Sequence, residues 1–392
     1  MLYEPEAFEA LTDRAWDESR VRDAIPRIVA DTERAFDPRE LWPAQEWDAW
    51  DLPTPLKGLY AGAAGVVWAL DVIRRRGLAE TTLDLAAVAR QALERWRQEP
   101  ELSASTPMPA AAEAGLLLGE TGILVVAWRL TRDDELLDAL ERRIAESRTS
   151  PANELMWGTP GNLLAARSML DATGDQRWAD LWRTTAESLW TQREPDGLWT
   201  QQLDGRSFRA LGPVHGLVGN VRVLLQGKEL LAERRRSQVV AETSAILERD
   251  AVVEDGLANW PAVADPARVE LRLQWCHGAP GILAAADDLL NEELVIAGAE
   301  LTWQAGPPRM EKGSSICHGT AGNGYAFLKA LARTGDERWL ERARRFAVHA
   351  LEQIERRGHG RYSLWTGDLG VALFAADCLE ERTAYPIVDG WE

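Results

Sequence analysis

Cysteine and histidine are scarce in this chain of 392 residues, with three of the first and five of the second. Five of those eight, His215, Cys276, His277, Cys317 and His318, stand directly before a glycine step, while His349, His359 and Cys378 do not. Chance would rarely group them so. Cys276, Cys317 and His318 make a Cys2His set. Zinc takes thiolate and imidazole ligands in a tetrahedron, and three protein ligands leave the fourth position for water or substrate. His277 or His215 could supply a fourth ligand, and spacing leaves that open. The spacing is not that of a Cys-x-x-Cys ribbon, so buried cysteines are the competing explanation. A zinc ion with two thiolates and a neutral imidazole is formally neutral, and it can bind an incoming thiol and keep it as a thiolate near neutral pH. The reaction class this implies is attack by a thiol on an electrophile. His215 then reads as the general acid/base, because imidazole titrates near neutrality. A histidine merely satisfied inside a turn is the plain alternative. His277 is either a second acid/base or a polar wall.

Residues about 100 positions apart need a scaffold to meet, and the chain supplies a repeat. A Gly-x-x-Gly step followed by an apolar run occurs seven times, beginning at Gly62, Gly119, Gly158, Gly216, Gly278, Gly319 and Gly367. The intervals are roughly 40 to 60 residues, a period that signals a repeat architecture. The segments 172–190 and 333–351 echo each other as "ATGDQRWADLWRTTAESLW" and "RTGDERWLERARRFAVHAL", and 130–147 is a weaker copy. Asp175 and Asp336 sit where an N-cap belongs, each after a glycine that closes the preceding helix. Short turns follow at Asp196-Gly197, Asp255-Gly256 and Gly358-His359-Gly360. Each unit therefore predicts a glycine turn, a buried apolar helix, a second turn and an amphipathic outer helix. Seven such pairs closing on themselves give an all-α fold, a seven-fold α/α toroid with an inner and an outer ring. The expectation is a single domain over 1–392, with residues 1–57 completing the outer ring. Parallel inner helices would bring their starting turns, and so the scarce residues, to one end. Helix N-termini there would favour thiolates.

Composition narrows the partners. The net charge of −18 repels nucleic acid and anionic membranes. No apolar run is long enough to span a bilayer. The acidic start "MLYEPEAFEALTDRAWDE" is not a signal peptide. An odd number of cysteines argues against a disulfide framework, so the expected location is cytoplasmic.

The motifs "VHGLVGN" (214–220), "WCHGAPG" (275–281), "ICHGTAGNGYAFL" (316–328) and "YSLWTGDLG" (362–370) resemble the LanC family, the lanthionine synthetase cyclases and their LanC-like relatives. The resemblance runs through the glycine steps over nearly the whole chain. It implies a seven-fold α/α barrel with one catalytic zinc held by Cys276, Cys317 and His318, and His215 as catalytic histidine. It implies addition of a cysteine thiol to dehydroalanine or dehydrobutyrine, closing thioether rings in a dehydrated peptide, with enolate protonation falling to His215 or His277. Dedicated lantibiotic cyclases commonly read Trp-Cys-Tyr-Gly where this chain reads Trp275-Cys276-His277-Gly278. That places it closer to the LanC-like proteins, which add glutathione to dehydroamino acids in damaged proteins. A separate dehydratase is implied as the source of the dehydroamino acid. The rival readings are a carbohydrate-active toroid, which would rely on carboxylates or histidines and need no cysteine ligands, and a non-enzymatic zinc protein that binds a peptide.

Overall fold

The computed structural model describes residues 1–45, 55–101, 113–203, 205–265, 267 and 269–392. Fourteen α-helices run among the described residues. Seven are inner: α2 (Ala63–Arg75), α4 (Glu120–Thr131), α6 (Thr159–Thr173), α8 (Leu217–Gln226), α10 (Ala279–Ala286), α12 (Thr320–Thr334) and α14 (Asp368–Glu380). The other seven are α1 (Glu18–Arg34), α3 (Leu85–Gln98), α5 (Glu135–Ser147), α7 (Gln176–Thr191), α9 (Glu233–Asp250), α11 (Glu292–Ala305) and α13 (Arg338–Arg357). Each inner helix packs on the next, and α14 packs back on α2, so the ring closes. The fold is an α/α toroid. Outer helices lie over the joints: α3 touches α2 and α4, α5 touches α4 and α6, and α13 touches α12 and α14. The N-terminal helix α1 packs on the last inner helix, α14, and takes the remaining outer place. It is the one α-helix described within 1–57; residues 46–54 lie outside the described residues. No described helix is long and apolar enough to cross a membrane.

The two helix types differ as their sequences demand. The inner helix α10 buries all of Ala279–Ala286, and α14 buries every residue from Asp368 to Cys378. The outer helix α13 buries one stripe, with Trp339, Ala343, Phe346 and Ala350 inward and arginines outward. Gly174 and Gly335 end α6 and α12 in the left-handed conformation at φ 67° and 69°. Asp175 caps α7 through the Arg177 N–H, and Asp336 accepts from the Arg338 N–H. Asp255-Gly256 does more than turn. Both residues have positive φ, 51° and 78°, which joins β3 (Val252–Glu254) to β4 (Leu257–Asn259) as a tight hairpin. A second hairpin pairs β1 (Gln201–Leu203) with β2 (Arg206–Phe208).

The glycine steps are demanded by close approach. In all seven, a Cβ on the second glycine would stand 1.7 to 2.3 Å from the carbonyl oxygen of the residue six positions earlier. Of the first glycines only Gly278 has a positive φ, 95°. Gly122→Ala would place its Cβ 2.2 Å from the Leu116 carbonyl and 2.8 Å from the Leu59 Cβ. It should destabilise the protein by about 3 kcal/mol. Gly174→Ala, with open space but positive φ, should cost about 1 kcal/mol. Chemical denaturation of the two variants checks the order, and equal costs would contradict it.

Candidate metal and acid–base site

The starting turns of the inner helices meet at one end and are stitched together. The residue two places before each first glycine is Tyr60, Leu117, Met156, Val214, Cys276, Cys317 or Trp365. Their backbones form a chain of hydrogen bonds: Cys276 N–H to Cys317 O (3.3 Å), Cys317 to Trp365 (2.9 Å), Trp365 to Tyr60 (3.3 Å), Tyr60 to Leu117 (2.8 Å) and Leu117 to Met156 (3.2 Å). One register step away, Leu155 N–H continues it to Val214 O at 2.9 Å. Cys276 and Cys317 are therefore equivalent positions in neighbouring turns. The next position holds His215, His277 and His318 in three consecutive turns.

Asparagines brace the turns. Asn162, Asn220 and Asn323 each lie four residues after a first glycine, and their Nδ2 atoms donate to Ala114 O (2.7 Å), Asn153 O (2.9 Å) and Leu273 O (3.2 Å). Each acceptor lies five residues before the first glycine of the preceding turn. Asn323 thus holds the Cys276 turn against the Cys317 turn, and Asn220 holds the 153–154 corner against the His215 turn.

The structure brings Cys276, Cys317 and His318 together. One ligand atom from each of Cys276, Cys317 and His318 lies within 4.8 Å of the others. Cys317 Sγ and His318 Nε2 are 3.8 Å apart, against roughly 3.6 Å for the S···N edge of a zinc tetrahedron built from ordinary bond lengths. Both cysteines are buried. Burial pushes the Cys276 thiol up, but the Cys317 hydrogen bond and the neighbouring His318 and His277 imidazoles outweigh it, holding Cys276 well below a normal thiol. Gln274 Nε2 donates to Cys276 Sγ at 2.8 Å, and Lys312 Nζ donates to Gln274 Oε1 at 2.5 Å, directing positive charge at that sulfur. Cys378, in α14, shows the contrast: burial and the neighbouring Asp377 carboxylate raise it well above a normal thiol. Two soft sulfurs and an imidazole, one sulfur held toward thiolate, fit a zinc-type ion.

His215 lies beside this set. Its Nδ1 is 2.9 Å from Glu154 Oε2, and Glu154 is fully buried. Glu154 also accepts the backbone N–H groups of Met156 (3.1 Å) and Trp157, just before α6 begins. Burial pushes the His215 pKa down, but the Glu154 hydrogen bond and charge, with the Cys276 charge, raise it above the ordinary value. His277 stacks on His215 with centroids 5.7 Å apart, and burial lowers its pKa to about 4. It faces His215 across the stack, while the donor set is completed by Cys276, Cys317 and His318. His349 is elsewhere, bonded to Glu9 through Nε2 at 2.8 Å, and His359 is exposed. Sequence reasoning missed Glu154, Gln274 and Lys312. The only signal for Glu154 is a charge standing directly before the apolar stretch "LMWGTPG" (155–161); the recurrent Gly-x-x-Gly-Asn would have exposed the braces.

The profile of the lanthionine synthetase C-like protein family matches residues 56–389. The chain belongs to this family. Among curated relatives, the LanC-like chain is 30% identical over 188 residues to a Danio rerio protein named glutathione S-transferase LANCL1, covering 44% of each. It is 35% identical over 99 residues to the Arabidopsis thaliana LanC-like protein GCL1, covering 23% of this chain and 22% of that one. The chain thus spans less than half the length of these relatives. Among solved structures, nisin cyclase superposes with a TM-score of 0.60 at 16% identity, covering 92% of this chain and 94% of that one. At that identity the likeness speaks for the fold, and it agrees with the closed double ring.

Proposed function

We propose that this LanC-like protein adds a thiol across the double bond of a dehydroamino-acid residue, forming a thioether. The observation that carries the reading is a Cys2His donor set beside a carboxylate-held histidine on one end of the ring. Cys276, Cys317 and His318 would hold one Zn2+. When bound, zinc supplies a Lewis acid that lowers the pKa of an incoming thiol. The chain's own residues supply the remainder. Gln274, backed by Lys312, steadies the negative charge on Cys276. Glu154 takes Nδ1 of His215 and leaves Nε2 for the substrate. As sulfur bonds to the β-carbon, the π electrons move toward the carbonyl, and the His215 imidazolium delivers its Nε2 proton to the α-carbon; the proton shed by the incoming thiol restores the imidazolium, so the addition consumes and releases none. His277, neutral near pH 7, forms the wall behind that ring.

The substrate is a dehydrated peptide or protein, so a dehydrating enzyme must act first. In the cyclase reading, the thiol is a cysteine of the same peptide. A second reading takes a free thiol such as glutathione. It is favoured by the Trp275-Cys276-His277-Gly278 sequence and by the printed name of the zebrafish relative. One experiment separates the two. A peptide carrying dehydroalanine and cysteine is incubated with zinc-loaded protein, with and without glutathione. Cyclisation removes the alkylatable thiol at constant mass; conjugation adds the mass of glutathione. Neither product, over several unrelated peptides, would sink the proposal.

A further inference from the structure

Both cysteine turns are backed by a segment that enters the ring from the end where the inner helices finish. Gln226, the last residue of α8, bonds Val388 O, and Arg129, in the last turn of α4, donates to Trp391 O at 3.1 Å. Asp389 anchors the segment: its carboxylate takes Lys329 Nζ (2.6 Å), Arg222 Nη2 (2.5 Å) and the Tyr385 N–H (2.7 Å). Lys329 comes from α12 and Arg222 from α8, so the anchor bridges the two inner helices that flank α10. Tyr385 is thereby pressed into the core with 1% of its surface exposed.

That one side chain touches both donor turns. Its ring stacks on Trp275, with centroids 4.5 Å apart and planes 12° from parallel. Its hydroxyl donates to the Ile316 carbonyl at 2.6 Å. Trp275 immediately precedes Cys276, and Ile316 immediately precedes Cys317. There is little slack: a Cβ on Gly322 would lie 1.9 Å from Ile316 O and 3.2 Å from the Trp275 Cβ. Trp365, from the next turn, closes the cluster at 5.1 Å from Trp275 and 5.9 Å from Tyr385.

We infer that Tyr385 is a positioning residue that fixes the separation of Cys276 and Cys317 from behind, so that metal affinity depends on a group that does not touch the metal. This rests on the reading that these cysteines hold zinc. Without the hydroxyl, Ile316 O loses its partner and the peptide before Cys317 is held from one side only, by the Cys317 N–H on Trp365 O, while the ring stack survives. Partners one step behind metal ligands typically change affinity by about 10- to 100-fold.

The test compares wild type, Tyr385→Phe and Thr302→Val. Thr302 is the control: its buried hydroxyl donates to Gly298 O at 2.8 Å in the outer helix α11, away from the site. Zinc affinity is measured by chelator competition, and donor geometry by the visible bands of the Co2+-loaded protein. The expected result is about tenfold weaker zinc binding and altered bands for Tyr385→Phe, with wild-type values for Thr302→Val. Wild-type affinity and bands in Tyr385→Phe overturn the inference, as does an equal loss in Thr302→Val. A wild-type protein that takes up neither ion overturns the metal reading itself, and this inference with it.

Discussion

Cys317→Ala protein will purify without zinc and without measurable thiol addition. The donor set has three members, and no other described His, Cys, Asp or Glu group completes it. Structural zinc sites bind with apparent free energies of about 10–16 kcal/mol, so one ligand's share is about 3–4 kcal/mol, or on the order of a thousandfold in affinity. Loss of Cys317 also withdraws the hydrogen bond that holds the Cys276 thiol down, so the remaining sulfur becomes a poorer ligand. Folding should survive, because the turn is held by backbone bonds from Cys276 and to Trp365 that alanine keeps. Cys378→Ala is the matching control. It removes an equally buried sulfur from an inner helix and should retain a full equivalent of metal. Metal analysis of the three proteins decides the matter. Zinc retained in Cys317→Ala would remove the basis for the proposed chemistry.

The sequence made the ring legible because its repeat is physical. The second glycine of each step cannot carry a Cβ beside the carbonyl six residues back, so the motif survives wherever the turn does. Repetition then placed Cys276, Cys317 and His318 at equivalent corners of neighbouring turns, which no local pattern could have done. Glu154 was hidden for the opposite reason. It belongs to the third turn, four residues before Gly158, and no other turn carries a carboxylate at that position to flag it. Its role depends on a contact with His215, 61 residues away in the chain. The hairpin at Asp255-Gly256 was readable as a turn, but pairing of strands only three residues long leaves almost no periodicity to detect. Tyr385 was equally opaque, since a single tyrosine after the last repeat gives no spacing to interpret.

His215→Ala should lower turnover by about 10²- to 10⁴-fold while leaving zinc content intact, the range for loss of a positioned proton donor. Glu154→Gln is the sharper variant, because it acts on the proton without removing the imidazole. Glu154 raises the His215 pKa by hydrogen bond and charge. A raised pKa keeps the ring protonated further into the alkaline range, so the wild-type rate should fall only above the ordinary histidine value. Glutamine has no charge, and with its oxygen kept on the Trp157 N–H its amide nitrogen takes the place of Oε2, which faced both Nδ1 and the Met156 N–H. Its amide nitrogen facing Nδ1 is itself a donor, which favours the tautomer with the proton on Nε2 and a bare Nδ1, and disfavours the imidazolium. Both effects lower the pKa, so the alkaline limb of the rate profile should move toward acid, and activity should recover in part as pH is lowered. A merely structural Glu154 would instead give a rate loss independent of pH. The measurement is the pH dependence of kcat/KM for wild type and Glu154→Gln at full zinc occupancy. An unmoved alkaline limb would assign the proton to another group, and His277, stacked 5.7 Å from His215, is the group to substitute next.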